Sequence, residues 1–567
     1  MIKKWMWAAP LGTLVVGGVT AAVVGGCLAN QNANPYRLYS ATPVGNSNTD
    51  LIQTYFASIV NGSKLLMLPG YTHTIPLTQA LGVTAKSNAP MYNYMNKAGF
   101  VLLDDSYGIP VFNSNNQVDT NTIQPVWSTQ VASVKFRTDL GSFLTGIAVG
   151  EFLNEYQYYF APNKDDKLTW ATYGGATFSS VTGYMGGLQR GIRYFNEHMI
   201  KNQFTEDGRA FKPIEQVFLS SEENGNFSNG FGATDGNQLI NNLLAKNVSL
   251  LVPVAGTQTQ QAVRMINQLK KRTIVLGVDT AAENDTNMNL ELPIKGTEMI
   301  NGSTAIGGTN KIIQFSSLKK LDSAGMQILE HINKGINYPP EKDGTIGGFG
   351  YQSLGNTKND CVGVSEAGYP YFIKAVNRMN ATTNKTIPNI DKFSETELKE
   401  DYKKAVAKIE ETQTFKDLDK PENKIYYAFD NWTSGEPLVP GKSWSYEDLP
   451  NEGTKMMPLD IGKLDNWFKE DYLKLQPGQS MSEADTEKLN SLKQWFKDNQ
   501  QEIDIREKFN LVGELSKQNY EKNKSIIKIV TNSPSTPLLD KSFAQSTYMG
   551  LVDYWKRQDV NLPVPKG

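Results

Sequence analysis

The chain has 567 residues, which is enough for three or four domains of ordinary size. Its formal net charge of -2 at pH 7 provides no electrostatic reason to expect nucleic-acid binding. The mean hydropathy of -0.41 is typical of a water-soluble body. The three histidines are scattered and the two cysteines, Cys27 and Cys361, are far apart, so the sequence predicts no metal site, no cofactor and no disulfide framework.

The first 26 residues have the pattern of an export signal. Two lysines precede an uncharged apolar run that extends to Gly26, and Cys27 follows it. The small residues before Cys27 resemble a bacterial lipobox, in which the cysteine thiol receives a diacylglyceryl group. We therefore expect a signal peptide at 1–26, a lipidated leash at 27–35, and attachment to the extracellular face of the cell membrane. The alternative is a plain spanning anchor, because the run approaches the roughly 20 residues that a spanning helix needs.

Short apolar runs alternate with amphipathic stretches over the first 370 residues. Runs that end in Gly, Asp or Ser are typical of buried parallel strands, and apolar residues at helical spacing lie between them. This alternation predicts doubly wound α/β layers, in which ligands bind beyond the carboxyl ends of the strands. The predicted strands lie within 63–71, 98–106, 168–175, 214–221, 248–256 and 272–279, and the clearest helices within 234–247 and 259–272.

The composition changes in the segment 380–524, where Lys, Glu and Asp dominate. Apolar residues at helical spacing in 394–412 and 482–509 predict surface helices. We interpret 380–524 as an accessory or bridging segment. The simplest interpretation is a solvated spacer, and an active role is the alternative.

The stretch from Val134 to His198 resembles a known family. VKFRTDLGSFLTGIAVG is similar to the crossover segment of the basic membrane protein family, and LTWATYGGATFSSVTGYMGGLQRGIRYFN is similar to the strand and helix that follow it. That family comprises substrate-binding lipoproteins of ABC importers, including purine nucleoside receptors. Further segments match in order: KLLMLPGY, GFVLLDDS, LLVPVAGTQTQQAV, IVLGVDTAAEND, SSLKKLDSAGMQIL and CVGVSEAG. IVLGVDTAAEND lacks the Asp and Gln that end the family's motif.

The family's first strand and loop appear at the opposite end of this chain. YRLYSATPVGNSNTDLIQTYFASIV, near the start, is similar to the family's second strand and second helix. DKSFAQSTYMGL, within 525–567, is similar to the family's opening motif. The resemblance therefore implies a circularly permuted member, and permutation is tolerated where the bridged ends can meet.

The resemblance implies a two-lobed, periplasmic-binding-protein-like (type I) α/β fold with doubly wound parallel sheets. The fold would be circularly permuted and carry a charged, mainly helical accessory segment. Hinge crossovers are expected near 141–146 and beyond Gly277. The expected divisions are lobe 1 at 36–145, lobe 2 at 146–285, crossover and closing strands shared by both lobes at 286–379, the accessory segment at 380–524, and the permuted first strand and helix of lobe 1 at 525–567.

The resemblance also implies a function, the capture of nucleosides, with purine nucleosides foremost, and their delivery to the permease subunits of an ABC importer. The expected protein is a monomer attached to the membrane by its lipid, with a nucleoside ligand, no nucleic-acid partner and no catalytic activity. Carried over position by position, the family's ligand contacts fall on Asp104, Phe227, Gly256, Asp279, Lys319, Asn532 and Phe543.

Each of these side-chain types suits one part of a nucleoside. Phe543 and Phe227 would stack on the two faces of the base, since aromatic rings stack on any base. Asp104 would accept hydrogen bonds from the base edge, and Asn532 stands where the family has an aspartate.

The other contacts are expected at the sugar. Gly256 would let the backbone approach it, and Asp279 would accept hydrogen bonds from the ribose hydroxyls, because an ionised carboxylate only accepts. Lys319 would donate to the sugar, with Lys320 as the rival for that role.

Ordinary structural roles stand beside these assignments. A single phenylalanine is usually a core residue, an aspartate at a strand end is often a helix cap, and Asp279 with Lys319 could form a structural ion pair. Three other functions remain open. They are a nucleoside-processing hydrolase, which would need clustered aspartates for a cation, a surface adhesin or structural lipoprotein with a degenerate cleft, and a receptor for another ligand class such as a sugar.

Overall fold

The computed structural model describes most of the chain beyond residue 34. The predicted signal peptide and Cys27 lie outside the described residues. Each helix among the described residues is too short or too polar to span a lipid bilayer. The described residues are 35–81, 94–95, 97–105, 107, 112–117, 130–163, 165–221, 223–294, 305–335, 346–379, 394–419, 426–428, 443–445, 454–455, 457, 460–498, 511–534, 538 and 543–564.

Lobe 1 is built on a seven-stranded sheet with the order β1-β15-β2-β3-β4-β10-β14. Neighbouring strands run parallel, except that β14 is antiparallel to β10. The central strands are continuous apolar runs, as expected for strands that are covered on both faces. The strands are β1 (Ser40–Ala41), β2 (Leu65–Pro69), β3 (Gly99–Leu103), β4 (Val131–Phe136), β10 (Tyr351–Gly355), β14 (Thr454–Lys455) and β15 (Ile527–Val530).

The last strand in the chain, β15, lies inside the lobe 1 sheet and not at its edge. Ile529 pairs with Ser40 on one side and with Met67 on the other. If β15 is counted first, the order of the first five strands becomes 2-1-3-4-5, which is common in doubly wound sheets. Lobe 1 therefore needs both ends of the chain.

Lobe 2 is built on a six-stranded sheet with the order β11-β9-β8-β7-β5-β6. It is parallel except for β11, which runs antiparallel to β9 at one edge. The predicted α/β class, with doubly wound parallel sheets in two lobes, is confirmed. The strands are β5 (Leu168–Gly174), β6 (Ile214–Gln216), β7 (Leu250–Val254), β8 (Ile274–Asp279), β9 (Ile313–Lys319) and β11 (Val362–Val364).

Helices cover both sheets. The helix that follows β4 is almost entirely buried, because it lies between the lobe 2 sheet and two other helices. The helices are α1 (Asn48–Val60), α2 (Thr74–Leu81), α3 (Thr138–Glu155), α4 (Ser179–His198), α5 (Asn237–Ala245), α6 (Gln258–Gln268), α7 (Leu321–Lys334), α8 (Tyr369–Arg378), α9 (Glu395–Glu410), α10 (Gln413–Asp419), α11 (Ile461–Trp467), α12 (Glu483–Asp498), α13 (Lys517–Lys522) and α14 (Phe543–Arg557), with a further helical turn at Gln157–Phe160.

Glycine allows α3 and α4 to pack backbone against backbone. A Cβ atom at Gly191 would collide with the carbonyl group of Phe143, and one at Gly187 would collide with the carbonyl group of Asp139. The glycines of the family-like segment therefore hold two helices of lobe 2 together.

Within the described residues, three short connections pass between the two sheets. Arg137 joins β4 of lobe 1 to α3 of lobe 2. Lys320 joins β9 of lobe 2 to α7, which packs on α14 and β3 of lobe 1. Residues 356–361 join β10 to β11. These three connections form the hinge between the lobes. Lys319 stands at the second of them.

The accessory segment is packed on both lobes, so a solvated spacer does not describe those of its residues that the structure describes. α9 packs on α8 of lobe 2, while β14 extends the lobe 1 sheet. Trp467 of α11 and Leu492 and Phe496 of α12 are buried in one apolar cluster with Tyr55 and Leu66 of lobe 1. The described charged residues of the accessory segment lie mainly on the outer faces of these helices. A small antiparallel strand pair, β12 (Tyr426–Ala428) and β13 (Ser443–Ser445), lies beside α4.

Candidate functional site

A buried lysine between two carboxylates lies where the lobes meet. Lys319 ends β9, and its Nζ atom is 2.7 Å from Asp104 Oδ1 and 3.0 Å from Asp279 Oδ1. Asp104 follows β3 of lobe 1 and Asp279 ends β8 of lobe 2, so this acid-lysine-acid cluster joins both lobes. The Lys319 side chain is only 3% exposed, whereas that of Asp279 is 28% exposed. The cluster therefore keeps one accessible carboxylate.

Both aspartates of the cluster have an unusual backbone. Asp104 has φ 82° and Asp279 has φ 69°, in the left-handed region that side chains other than Gly rarely adopt. Strained positions of this kind persist where surrounding structure fixes them, and they concentrate at functional sites. The Asp104 amide donates to the Val134 carbonyl at 2.9 Å, which fixes the turn after β3. The two carboxylates are thus held in place by their own strand ends.

Burial changes the protonation of the cluster. It raises the pKa of Asp104 to about 6, opposed by the charge of Lys319 and assisted by that of Asp279. Burial disfavours the charged ammonium of Lys319, but its two carboxylate neighbours outweigh this and raise the pKa of Lys319. At neutral pH most Asp104 side chains are therefore ionised and face a protonated Lys319.

A first prediction concerns how the stability of the protein depends on pH. The pKa of Asp104 is higher in the folded chain, at about 6, than its ordinary value of 3.8, so folding takes up a proton between these values. The wild-type protein should therefore gain stability relative to the Asp104→Asn variant as pH falls from about 7.5 to about 4.5. Urea unfolding of both proteins at several pH values measures this difference. A difference that stays constant, or that grows as pH rises, would contradict the assigned pKa.

Aromatic side chains surround the ammonium of Lys319. The Nζ atom is 4.9 Å from the centroid of the Phe543 ring and 5.9 Å from that of Tyr184, within the range of cation–π attraction. The Tyr184 hydroxyl donates to Asp279 Oδ1 at 3.0 Å and so fixes that carboxylate. Phe543 belongs to lobe 1 and comes from near the chain's end, whereas Tyr184 belongs to α4 of lobe 2. Tyr184 was not predicted, because its helical position resembles that of a core residue.

Asn532 stands beside Phe543. A Cβ atom at Gly70 would be 3.1 Å from Asn532 Nδ2 and 3.3 Å from Phe543 Cδ2, so Gly70 leaves room for both side chains. Behind Asn532 lies His73, whose Nδ1 is 2.7 Å from the Tyr55 hydroxyl. Burial lowers the pKa of His73 to about 4, partly offset by Asn532, so the imidazole is neutral at pH 7. Asn532 therefore has a neutral polar neighbour in place of a charge.

A second aromatic group lies across the lobe boundary and was not predicted. Tyr71 of lobe 1 and Phe178 of lobe 2 are 45% and 47% exposed, and their ring centroids are 5.6 Å apart. Phe178 stacks on Phe231 with centroids 6.1 Å apart and planes inclined by 10°. The negative charge of Asp104 contributes to the raised pKa of Tyr71, after burial. This aromatic lip, Tyr71–Phe178–Phe231, therefore adjoins the cluster.

The remaining predicted residues are placed as follows. Phe227 is 3% exposed, and its ring fills the space beside Gly174 in lobe 2. Gly256 has φ 57°, and the nearest atom to a Cβ placed there is Cδ1 of Phe231, at 3.9 Å. Lys320 turns away to Asp360, at 2.5 Å, so Lys319 is the lysine of the cluster. The structure thus brings Asp104, Asp279, Lys319, Asn532 and Phe543 to one junction, while Gly256 adjoins the aromatic lip and Phe227 lies under Gly174.

Over the described part of the chain, no group of three or more His, Cys, Asp or Glu side chains is placed to hold a metal ion. The junction instead offers the ammonium and two carboxyl groups of the cluster, and the Asn532 amide beside them, among aromatic rings. Such a set suits a planar, uncharged ligand that carries hydroxyl groups.

The chain forms two α/β lobes with polar and aromatic side chains at their junction, and junctions between lobes are where ligand sites commonly lie. Residues 104–202 match the family described as "ABC transporter substrate-binding protein PnrA-like" (Bmp). The resemblance to the basic membrane protein family that the motifs indicated is thereby confirmed. The matched residues include Asp104 and the whole of α3 and α4.

Two mycoplasma proteins are similar over a larger part of the chain. An uncharacterized lipoprotein of Mycoplasma pneumoniae is 30% identical over 374 residues, which cover 59% of this chain and 54% of that protein. An uncharacterized lipoprotein of Mycoplasma genitalium is 29% identical over 369 residues, with coverages of 58% and 59%. The chain therefore spans somewhat more than half the length of the curated relatives it matches.

Among solved structures, two ABC-system solute-binding proteins are similar. One, from Aeropyrum pernix, is 16% identical with a TM-score of 0.33, and the match covers 66% of this chain and 77% of that one. The other, from Conexibacter woesei, is 11% identical with a TM-score of 0.30 and coverages of 56% and 74%. With TM-scores this low, the fold assignment rests on the strand orders given above.

Proposed function

We propose that this protein is the nucleoside-binding component of an ABC importer, and that it holds its ligand between the two lobes. The observation that carries the proposal is Lys319, buried between Asp104 of one lobe and Asp279 of the other and covered by the Phe543 ring. A ligand that replaces part of this ion-pair network interacts with both lobes at once. Its binding therefore favours lobe closure, the change by which such proteins are recognised by a transporter.

The ribose is assigned to the accessible carboxylate. Two adjacent hydroxyl groups can both donate to Asp279, which only accepts, while Lys319 donates to a sugar oxygen. Charged partners make these bonds stronger than neutral ones. Tyr184 fixes Asp279 in advance, so little freedom is lost when the sugar binds.

The base is assigned to the aromatic side. Phe543 provides one stacking face, and either Phe227 or the aromatic lip provides the other. Asn532 and Asp104 face the base edge, where Asn532 both donates and accepts and Asp104 accepts while it is ionised. Since the family has an aspartate at the Asn532 position, the base preference of this protein should favour a ligand with an acceptor there.

The proposal also includes attachment of the protein to the membrane by a lipid and a circularly permuted chain order. A lipid on Cys27 would tether the protein outside the membrane, in agreement with the lipoprotein names of its two mycoplasma relatives. A circular permutation explains why β15 lies between β1 and β2. The Tyr36 hydroxyl donates to the Val564 carbonyl at 3.4 Å, so a short linker would join the two points that the ordinary chain order connects.

The second prediction tests ligand class. Calorimetric titration with inosine, guanosine and adenosine should show binding of at least one nucleoside at a 1:1 ratio, with ribose alone much weaker. Phe543→Ala should weaken binding roughly 5- to 150-fold, because base–aromatic stacking contributes about 1–3 kcal/mol. Phe178→Ala and Phe227→Ala show which ring provides the second face. Phe204→Ala, another exposed aromatic of lobe 2, is the matched control and should bind normally.

Other outcomes would identify the alternative functions. Release of free base from a bound nucleoside would show a hydrolase and overturn the receptor proposal. Binding that is unchanged in Phe543→Ala and Asp279→Ala would place the ligand elsewhere and favour a surface protein with a degenerate cleft. Binding of ribose or another sugar as tightly as of any nucleoside would favour the sugar-receptor alternative.

A further inference from the structure

The helix pair α9–α10, which opens the accessory segment, contacts the hinge between the lobes. Tyr402 of α9 has its hydroxyl 3.1 Å from the Val364 amide, which donates to it, and its ring stacks on Tyr369 with centroids 3.9 Å apart. Val364 ends β11, the strand that the third connection reaches. α9 therefore fixes the edge strand of lobe 2 where the chain arrives from lobe 1.

The same pair contacts the first connection. Arg137 Nη2 donates to the carbonyl of Leu418 in α10 at 2.8 Å, while the Arg137 guanidinium also binds Asp139. Phe415 of α10 is 1% exposed and packs on Phe143 of α3, with ring centroids 5.9 Å apart. α10 is thus anchored to lobe 2 and bonded to the residue at which the chain leaves lobe 1.

The third and second connections are contacted as well. Thr357, between β10 and β11, donates through its hydroxyl to Glu410 at the end of α9. A Cβ atom placed at Gly363 would lie 2.8 Å from the Tyr402 hydroxyl and 4.0 Å from Cε of Lys320. Lys320 is the second connection, and it follows Lys319 of the candidate site. The charge of Lys320 also interacts with Tyr402, so one helix pair lies against all three short connections.

Beyond this pair the segment also reaches lobe 1. β14 pairs with β10 in the lobe 1 sheet, and α11 and α12 bury their apolar side chains in the lobe 1 core. The accessory segment is consequently a fourth link between the lobes, attached at the hinge on one side and to the lobe 1 sheet on the other.

We propose that α9–α10 is a brace that holds the hinge near the arrangement in which the lobes meet, and that Tyr402 is a positioning residue for Lys319. β11 pairs with β9, and Val362 lies opposite Lys319 in that pairing, so the Tyr402 bond to β11 acts on the strand that carries the lysine. Packed interfaces of this kind favour discrete arrangements over gradual deformation. The brace raises the population of the binding-competent arrangement and thereby strengthens ligand binding.

Two variants loosen the brace by different routes. Tyr402→Phe removes the oxygen that accepts from Val364 and keeps the ring. Phe415→Ala removes the anchor on Phe143 and leaves β11 untouched. Lys403→Ala, on the exposed face of α9, is the matched control.

Hydrogen–deuterium exchange of the full chain, without ligand, is the primary measurement. Both brace variants should accelerate exchange at all three connections, 137–141, 319–321 and 356–364, while the strands inside each sheet stay protected. Lys403→Ala should match the wild type. If acceleration in Tyr402→Phe is confined to Val364, or if exchange rises evenly over both lobes, the brace proposal is wrong. Because this measurement needs no ligand, its result is independent of the nucleoside proposal.

Ligand affinity is a second measurement, and it would not change if Tyr402 and Phe415 had only a local structural role. Apparent affinity scales with the populated fraction of the competent arrangement, so a fall of that fraction to about a third weakens binding about threefold. For a nucleoside that binds the wild type, both variants should show this loss as an equilibrium dissociation constant about three times larger. A variant with accelerated hinge exchange and an unchanged dissociation constant would contradict the link between brace and site.

Discussion

Replacement of Lys319 with methionine should abolish ligand binding and lower the free energy of unfolding by about 3–5 kcal/mol, the usual effect of removing one partner from a buried ion pair. Methionine has a similar length and no charge, so Asp104 and Asp279 would face each other uncompensated. Desolvation already raises the pKa of Asp104 towards neutrality. Without the ammonium this carboxyl should take up a proton at physiological pH. Chemical denaturation and calorimetry measure the two effects.

Two further variants make this result interpretable. Lys374→Met removes the partner of Glu155 in a partly exposed pair of lobe 2, and should change stability by less than about 1 kcal/mol. The double variant Lys319→Met, Asp104→Asn removes one of the two negative charges that would face each other. It should recover part of the lost stability without restoring ligand binding. If Lys319→Met has the wild-type free energy of unfolding and the wild-type affinity for the ligand, the cluster is not the binding site and its burial has no energetic consequence.

Removal of residues 525–567 should prevent lobe 1 from folding. The deleted part contains β15, which is hydrogen-bonded between β1 and β2, and α14, whose Tyr548, Leu551 and Trp555 side chains are buried. Its loss would expose two unpaired strand edges and the apolar faces that α14 covers. Circular dichroism and the cooperativity of unfolding should both show that lobe 1 has lost its folded structure.

A reordered chain is the matched control for this truncation. Residues 525–564, joined by a short linker ahead of Tyr36, would restore the strand to the sheet and give the family's ordinary order. Because Tyr36 and Val564 are already in contact, the reordered chain should fold and bind as the wild type does. A truncated chain that unfolds cooperatively with unchanged stability, or a reordered chain that fails to fold, would refute the circular permutation.

Much of the fold could be predicted because strand and helix signals are local. The apolar runs at 63–71 and 98–106 became β2 and β3 almost as expected, whereas 214–221 produced only the short strand Ile214–Gln216. The position of β15 was predicted from a motif that the family has near its N-terminus and that this chain has near its C-terminus. Local sequence alone would not predict it, because the pairing partners of a strand are distant in sequence. Packing of the accessory helices on both lobes could not be predicted, because it depends on distant contacts.

The site was predictable to a similar degree. Asp104 and Asp279 follow buried strands, and the carboxyl ends of such strands are where ligands bind, so both could be selected from sequence. Tyr71 and Phe178 could not, because an aromatic residue near a strand end is equally compatible with a core role. For Phe227 the motif predicts a stacking face, and this stays a prediction, because the ring is 3% exposed beside Gly174 and no bound ligand shows its role. Whether a ring faces core or cleft is decided by neighbours that are far away in sequence.

A crystal structure of the protein with a bound nucleoside tests the account most directly. The base should lie against Phe543, and the ribose hydroxyls should lie within roughly 3 Å of the Asp279 carboxylate, the distance of an ordinary hydrogen bond. One ligand would then contact a residue from near the end of the chain together with residues from both lobes. A nucleoside bound outside the junction, or a junction left empty by a nucleoside at saturating concentration, would contradict the proposed receptor function.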